Sequence, residues 1–220
     1  MKKLRYQEIS GPETLFQPGS RGGVLVNLKG ITSKRAMDIA EYETLVSAQT
    51  QYYRQLTSKT RFTAKLLCEM HRDWLGELYA WAGQYRTVNL EKGGFVWPPA
   101  SMVSVNMVGL DRDILSVQTP CRPVPVEKVA QAMARVHAEF LLVHPFREGN
   151  GRLARWLADL MATQAGFPVP DYALSGRGSL LRKERYLGAV RQGYRRDYEP
   201  LAVFFVEAIR RAGGSTPRRR

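Results

Sequence analysis

A chain of 220 residues with 44% hydrophobic and 24% charged residues can bury a substantial core and is not a disordered polymer. No apolar run reaches the ~18 residues a membrane span needs, and the charged start, Met1-Lys2-Lys3-Leu4-Arg5, lacks the apolar stretch of a secretory signal. The two cysteines, Cys68 and Cys121, lack metal-ligand spacing, which excludes a disulfide scaffold and fits a reduced, cytoplasmic protein without a membrane partner.

The formal net charge of +13 is unevenly placed. From Arg177 onward twelve Lys/Arg face Glu184, Asp197, Glu199 and Glu207. Such an excess suits nucleic acid, a nucleotide or an acidic protein surface, and equally suits a solvated basic face. No aromatic-basic interleaving singles out nucleic acid.

Residues 1–30 are rich in Gly and Pro and read as an extended lead-in. Residues 31–212 read as one helical domain, and 213–220 as a loose basic tail. Thr32 or Ser33 is placed to cap a helix from Lys34 to about Gln55, with Met37, Ile39, Tyr42, Leu45, Val46 and Tyr53 as its apolar positions. Thr60 or Thr63 starts a second helix, in which Leu66, Met70, Trp74 and Leu78 repeat every four residues up to Gly83. His71 lies in it and reads as a packing residue.

The character then changes. Gln84–Leu90 and Phe95–Trp97 are β-prone runs around Glu91-Lys92-Gly93-Gly94, a hairpin signature. It is the one convincing strand signal in the chain. A helix is expected from Ala100 to about Val117, with Met102, Val105, Met107, Val108, Leu110 and Ile114 apolar. Another runs from Val126 to Val143 and carries His137, which again reads as structural. Further helices are expected from the 150s to Ala165, capped by Gly166, then from Ser179 to Arg191 and from Tyr198 to Ile209. The fold class is all-α with a single β-hairpin.

Between two of these helices lies His144-Pro145-Phe146-Arg147-Glu148-Gly149-Asn150-Gly151-Arg152-Leu153-Ala154-Arg155. A helix starting near Gly151 aims its first N–H groups and the positive end of its dipole at the preceding loop. Gly149 and Gly151 let backbone approach a ligand closely, so this end is a phosphate cradle. Arg152 and Arg155, three apart, share a helix face and can converge on one phosphate chain. Glu148 offers an oxygen ligand to Mg²⁺. His144, just outside the helix, is a general base suited to neutral pH. Phe146 is the apolar anchor of the loop.

The stretch resembles the signature H-x-F-x-[DE]-G-N-G-R-x-x-R of the Fic family at every fixed position, and Tyr85–Asn89 through Gly93-Gly94-Phe95 resembles that family's flap. The resemblance implies a mostly helical protein adenylyltransferase that moves AMP from ATP to a Ser, Thr or Tyr hydroxyl of a target protein. By it His144 would be the catalytic base and Glu148 the metal ligand. Phe146, Arg147, Gly149, Asn150, Gly151, Arg152 and Arg155 would form the nucleotide site. Within that site Asn150 and the two glycine backbones would be the anion hole, and the two arginines would bind the β/γ side of ATP. Thr87, Val88, Asn89, Gly93, Gly94 and Phe95 would hold the target segment by strand-like pairing. Transfer of a phosphoryl group or UMP, or a catalytically idle basic binding protein, are the alternatives. Many relatives carry an inhibitory [ST]-x-x-x-E-[GN] helix. Only Thr87–Glu91 has that spacing here, followed by Lys92 and inside the hairpin. By the resemblance, either a small separate antitoxin turns a glutamate toward Arg155, which is the favoured reading, or the protein is not regulated in that way.

Overall fold

The computed structural model describes residues 7–8 and 12–214. The expected basic tail beyond residue 214, and the first six residues, lie outside the described part. The chain divides into two compact units. One comprises residues 1–55, 63–109 and 143–153; the other comprises 56–62, 110–142 and 154–220.

In the first unit, α1 (Lys34–Gln55) is capped at Ser33, whose hydroxyl accepts from the Ala36 N–H and whose carbonyl accepts from the Met37 N–H. Its buried face is Met37, Glu41 and Ala48, whereas the expected apolar positions Ile39, Tyr42 and Val46 are exposed. Steps of four and seven define the stripe, and it contains a carboxylate where a purely apolar reading looked elsewhere. Thr63 caps α2 (Ala64–Leu75) by accepting from the Leu66 N–H at 3.1 Å. This helix stops at Leu75, capped by Gly76, and does not run on to Gly83. Leu67, Met70, His71, Trp74 and Leu75 are its buried side.

The hairpin is shorter than the β-prone runs. Strand β2 (Leu90–Lys92) pairs antiparallel with β3 (Phe95–Val96), and Gly93 and Gly94 form the turn at φ 58° and 79°, the backbone a tight two-residue hairpin requires. Gln84–Asn89 is not strand. Val88, Leu90 and Trp97 are buried together with Phe95 against them, which gives the hairpin an apolar footing. The lead-in is less irregular than its composition predicts: β1 (Gln7–Glu8) pairs antiparallel with β2, and Phe16 bridges Leu25.

Past the hairpin the backbone coils through α3 (Val103–Leu110), a π-helical turn at Asp111–Leu115 and α4 (Ser116–Gln118). Val103, Met107, Leu110, Ile114 and Leu115 are buried, while Met102, Val105 and Val108 are exposed.

The second unit holds α5 (Val126–Val143) up to Leu142, the later turns of α6 (Asn150–Gln164), α7 (Ser179–Gly193) and α8 (Glu199–Gly214). Met133, Phe140, Trp156, Leu160 and Phe205 have no exposure above 1% and make the core. Gly166, at φ 88°, ends α6, and the Phe167 N–H returns to the Ala162 carbonyl at 2.9 Å. His137 is wholly internal: Nδ1 donates to the Ala154 carbonyl at 3.1 Å and Nε2 accepts from the Tyr186 hydroxyl at 2.8 Å. That fixes one neutral tautomer, and burial holds its pKa down at about 3.

Candidate active site

The loop His144–Gly149 precedes α6 in the first unit and is held from three sides. The first is Asn150, the opening residue of the helix. Its Oδ1 accepts from the Phe146 N–H at 3.0 Å and its Nδ2 donates to the Phe146 carbonyl at 2.6 Å. Both polar ends of the Asn150 side chain thus close the loop into a ring. The Gly149 carbonyl accepts from Arg152 and Leu153, so the helix ladder starts there and the earlier N–H groups have no helical acceptor.

The second support is α2. His71 Nδ1 accepts from the Gly83 N–H at 2.8 Å, so the ring carries its proton on Nε2 and donates to the Glu148 carbonyl at 3.1 Å. Its ring stacks on Phe146 at 3.9 Å. Burial pushes the His71 pKa down to about 4, and the nearby Arg152 charge adds to this. Phe146 is completely buried, so its side chain anchors the loop. Gly149 lies at φ 84°, and a Cβ there would stand 2.8 Å from the Trp74 ring and 3.3 Å from His71 Nε2. Only glycine fits that approach.

Arg86 is the third support. It is 2% exposed. Its Nε donates to the His144 carbonyl at 2.8 Å, Nη1 to the Val88 carbonyl at 2.8 Å and Nη2 to the Pro98 carbonyl at 2.7 Å, while its own N–H donates to the Pro145 carbonyl at 2.8 Å. One guanidinium therefore joins both feet of the hairpin to the histidine. Burial lowers its pKa to about 10, which leaves it charged at neutral pH. His144 itself has φ 50°, a left-handed conformation rare for a side-chain-bearing residue, and its ring lies 4.1 Å from that of Trp97.

The other expected residues sort themselves by what they touch. Glu148 is half-buried beside the Gly149 N–H. Arg147 is 2% exposed and its Nε donates to the Glu13 carbonyl at 3.1 Å, toward the lead-in. Arg152 donates from Nη1 to Glu41 Oε2 at 2.6 Å, with its guanidinium 4.6 Å from the centre of the Trp74 ring. Arg155 follows one helical turn later, within the second unit, where it contacts the Tyr186 hydroxyl. Beyond it Asp159 accepts from Tyr172 at 2.6 Å, and burial raises the Asp159 pKa to about 7. Gly151 occupies the first turn of α6.

In the hairpin, Thr87 donates twice to Glu13 Oε1 at 3.1 Å, Val88 is 1% exposed, and Asn89 Oδ1 accepts from the Ala100 N–H at 2.8 Å. These three residues are its anchors. Gly93, Gly94 and Phe95 lie in the more open part with Val96, which is 63% exposed.

Glu41, Arg86 and Glu13 are the contributors that linear reading passed over. A carboxylate inside the Met37–Ala48 stripe was the available signal for Glu41; the other two leave none.

Residues 61–162 match the family model described as Fic/DOC family. A probable protein adenylyltransferase of Sinorhizobium fredii is 27% identical over 91% of this chain and 96% of its own length. One from Salmonella typhimurium is 29% identical over 66% of this chain and 69% of its own. Among solved structures, the BepC protein of Bartonella tribocorum with bound AMPPNP superposes with a TM-score of 0.68, at 18% identity, over 84% of this chain and 91% of that one. A Bep effector protein from Bartonella quintana with bound ADP gives 0.66 at 20% identity, covering 84% and 89%. Residues 61–162, which contain the signature loop, thus match the Fic/DOC family, and the helical fold is shared with solved Fic-domain structures.

Proposed function

We propose that this protein is a protein adenylyltransferase that transfers AMP from ATP to a Ser, Thr or Tyr hydroxyl of a target protein. The observation that carries the reading is that His144, itself buried, leads directly into a glycine-shaped loop on the N-terminus of α6, with Arg152 in the first turn of that helix. His144 takes the proton as the target oxygen attacks the α-phosphorus. The new O–P bond forms, the bond to the β-phosphate oxygen breaks, and pyrophosphate leaves. The charge that develops is met by the N–H groups of the first helical turn and by Arg152 and Arg155.

Glu148 fits a Mg²⁺ that is held mostly by phosphate oxygens and water, because one half-exposed carboxylate is the usual protein share of such a site. A second or third acidic ligand is not required, and no cluster of three His, Cys, Asp or Glu occurs among the described residues. Bound there, the ion would supply neutralisation of phosphate charge.

The target segment is taken up along the hairpin, with Gly93, Gly94 and Phe95 at the open end and Thr87, Val88 and Asn89 fixing its base. We further propose restraint by a small antitoxin chain whose glutamate reaches Arg155. Glu41, the internal carboxylate of this region, is bonded to Arg152 instead. A nucleic-acid role gains little, since Arg185 is paired with Glu207 and Arg210 with Glu127.

The test is transfer of label to lysate protein from ATP labelled on the α- or the γ-phosphate. α-Label on a protein band, absent with His144→Ala, is the expected result. γ-Label alone would mean phosphoryl transfer and would sink the reading.

A further inference from the structure

We propose that Glu41 is a positioning residue for the nucleotide: its buried carboxylate fixes the guanidinium of Arg152 in the orientation that grips the polyphosphate. This rests on the phosphate-binding role given to Arg152 above.

Glu41 lies on the inner face of α1 and is 7% exposed. Every polar atom of it that the fold can reach is engaged. The Trp74 Nε1–H donates to its backbone carbonyl at 2.8 Å, the Tyr79 hydroxyl to Oε1 at 2.7 Å, and Arg152 Nη1 to Oε2 at 2.6 Å. Burial first, and then the Glu41 charge, raise the Tyr79 pKa, which keeps that phenol a donor. A carboxylate taken out of water costs several kcal/mol, and an apolar residue of similar volume commonly stabilises such a position as well or better. Its neighbours on the stripe, Met37 and Ala48, show that α1 packs with apolar residues. Packing alone therefore gives no reason for a glutamate here.

The geometry supplies one. Arg152 remains 28% exposed against 9% for the Glu41 side chain, so the pair has a buried end and an open end. Glu41 is bonded through one terminal nitrogen, and the guanidinium carries five N–H donors in a rigid fork. The Trp74 ring lies 4.6 Å under the fork and closes off its other direction. The same ring sets the limit against which Gly149 is pressed. Glu41 and Trp74 thus register the arginine against the cradle loop.

Two effects of removing the carboxylate oppose each other. Loss of its charge leaves Arg152 more attractive to an anion, while loss of the anchor releases a long side chain whose bidentate match depends on orientation. The first acts from the open side and is screened by solvent and salt. The second acts directly on the contact, so the anchor dominates.

The experiment is calorimetric titration of the full chain with ATP, ADP and AMP, in a His144→Ala background that prevents turnover. Glu41→Gln keeps volume and an acceptor oxygen. It should weaken ATP and ADP about tenfold while leaving AMP within about twofold. Tyr79→Phe, which only loosens the carboxylate, should shift ATP and ADP in the same sense by about threefold. Combining Glu41→Gln with Arg152→Ala should be no weaker than Arg152→Ala alone. ATP binding unchanged or tightened in Glu41→Gln would overturn the proposal, and so would a proportional loss of AMP, which marks a general structural defect. If Arg152→Ala weakens ATP and Glu41→Gln does not, positioning alone fails. If Arg152→Ala leaves ATP unaffected, the phosphate role of Arg152 fails first.

Discussion

Arg86 donates from Nε to the carbonyl of His144 at 2.8 Å, across 58 residues of chain, and so holds the left-handed backbone of the proposed base from behind. A residue kept at φ 50° has to be over-determined by its surroundings. Arg86→Ala leaves four carbonyls, those of His144, Val88, Pro98 and Val143, without this donor and should cost about 3 kcal/mol in urea unfolding. Arg86→Lys keeps the charge but not the fork. It should lose adenylyl transfer by at least about tenfold while losing less stability than the alanine variant. Equal activity in Arg86→Lys would show that the histidine needs no such support.

Gly149 makes a sharper case, since both its φ of 84° and the 2.8 Å approach to Trp74 forbid a side chain. Gly149→Ala should cost about 2–4 kcal/mol from backbone strain and overpacking together, read by thermal or urea unfolding. Pairing it with Trp74→Phe, which trims the ring it meets, should recover part of the loss. No recovery would place the cost in the backbone alone.

Acid should unfold the protein partly through its internal histidines. His71 and His137 are held neutral, with pKa values near 4 and 3, whereas an unfolded histidine takes up a proton below about 6.5. The unfolded state then binds more protons, so the stability these two groups contribute is lost as pH falls through that window. Stability profiles from pH 7 to 4 should show this slope, and His137→Gln should flatten it.

Asp159 works in the opposite direction. Its folded pKa is raised to about 7 from 3.8, so the native state binds the extra proton and its contribution fades as pH rises from 4 to 7. Asp159→Asn should therefore be more stable than wild type at pH 8, and the gap should narrow by pH 5. A gap independent of pH would mean that the carboxyl is ionised throughout.

Glu13 ties the lead-in to the hairpin through Thr87, and its carbonyl ties it to the loop through Arg147. Glu13→Ala should leave global stability within about 1–2 kcal/mol and speed proteolytic cleavage near residues 12–16. Unchanged cleavage kinetics would show that the strap is held by other contacts.

What the sequence disclosed was whatever is written locally. The loop from His144 to Arg155 is contiguous, the Gly93-Gly94 turn needs only its own φ angles, and α5 and α6 carry uninterrupted apolar stripes with a glycine stop at Gly166. Long-range choices were hidden. The inner face of α1 is set by what Trp74, Tyr79 and Arg152 ask of Glu41, partners 33 to 111 residues away, so Ile39, Tyr42 and Val46 mimicked a core face. Arg86 looked like one more cation before a strand, and its acceptors are main-chain atoms with no residue type to betray them. The lead-in read as irregular because a two-residue strand needs a partner, β2, before it exists.

That strand has a further consequence. With β1 seated on β2, the sheet order is β1-β2-β3, so β2 is paired on both sides and the open edge of the hairpin is β3. A target taken up as proposed must therefore lie along Phe95–Val96, and side chains on an added strand alternate between two sides. Recognition would then follow a two-residue rhythm: positions an even number of steps from the modified hydroxyl face the protein on its own side, and odd ones turn away. A family of target peptides should show sequence preference at every second position and tolerance in between.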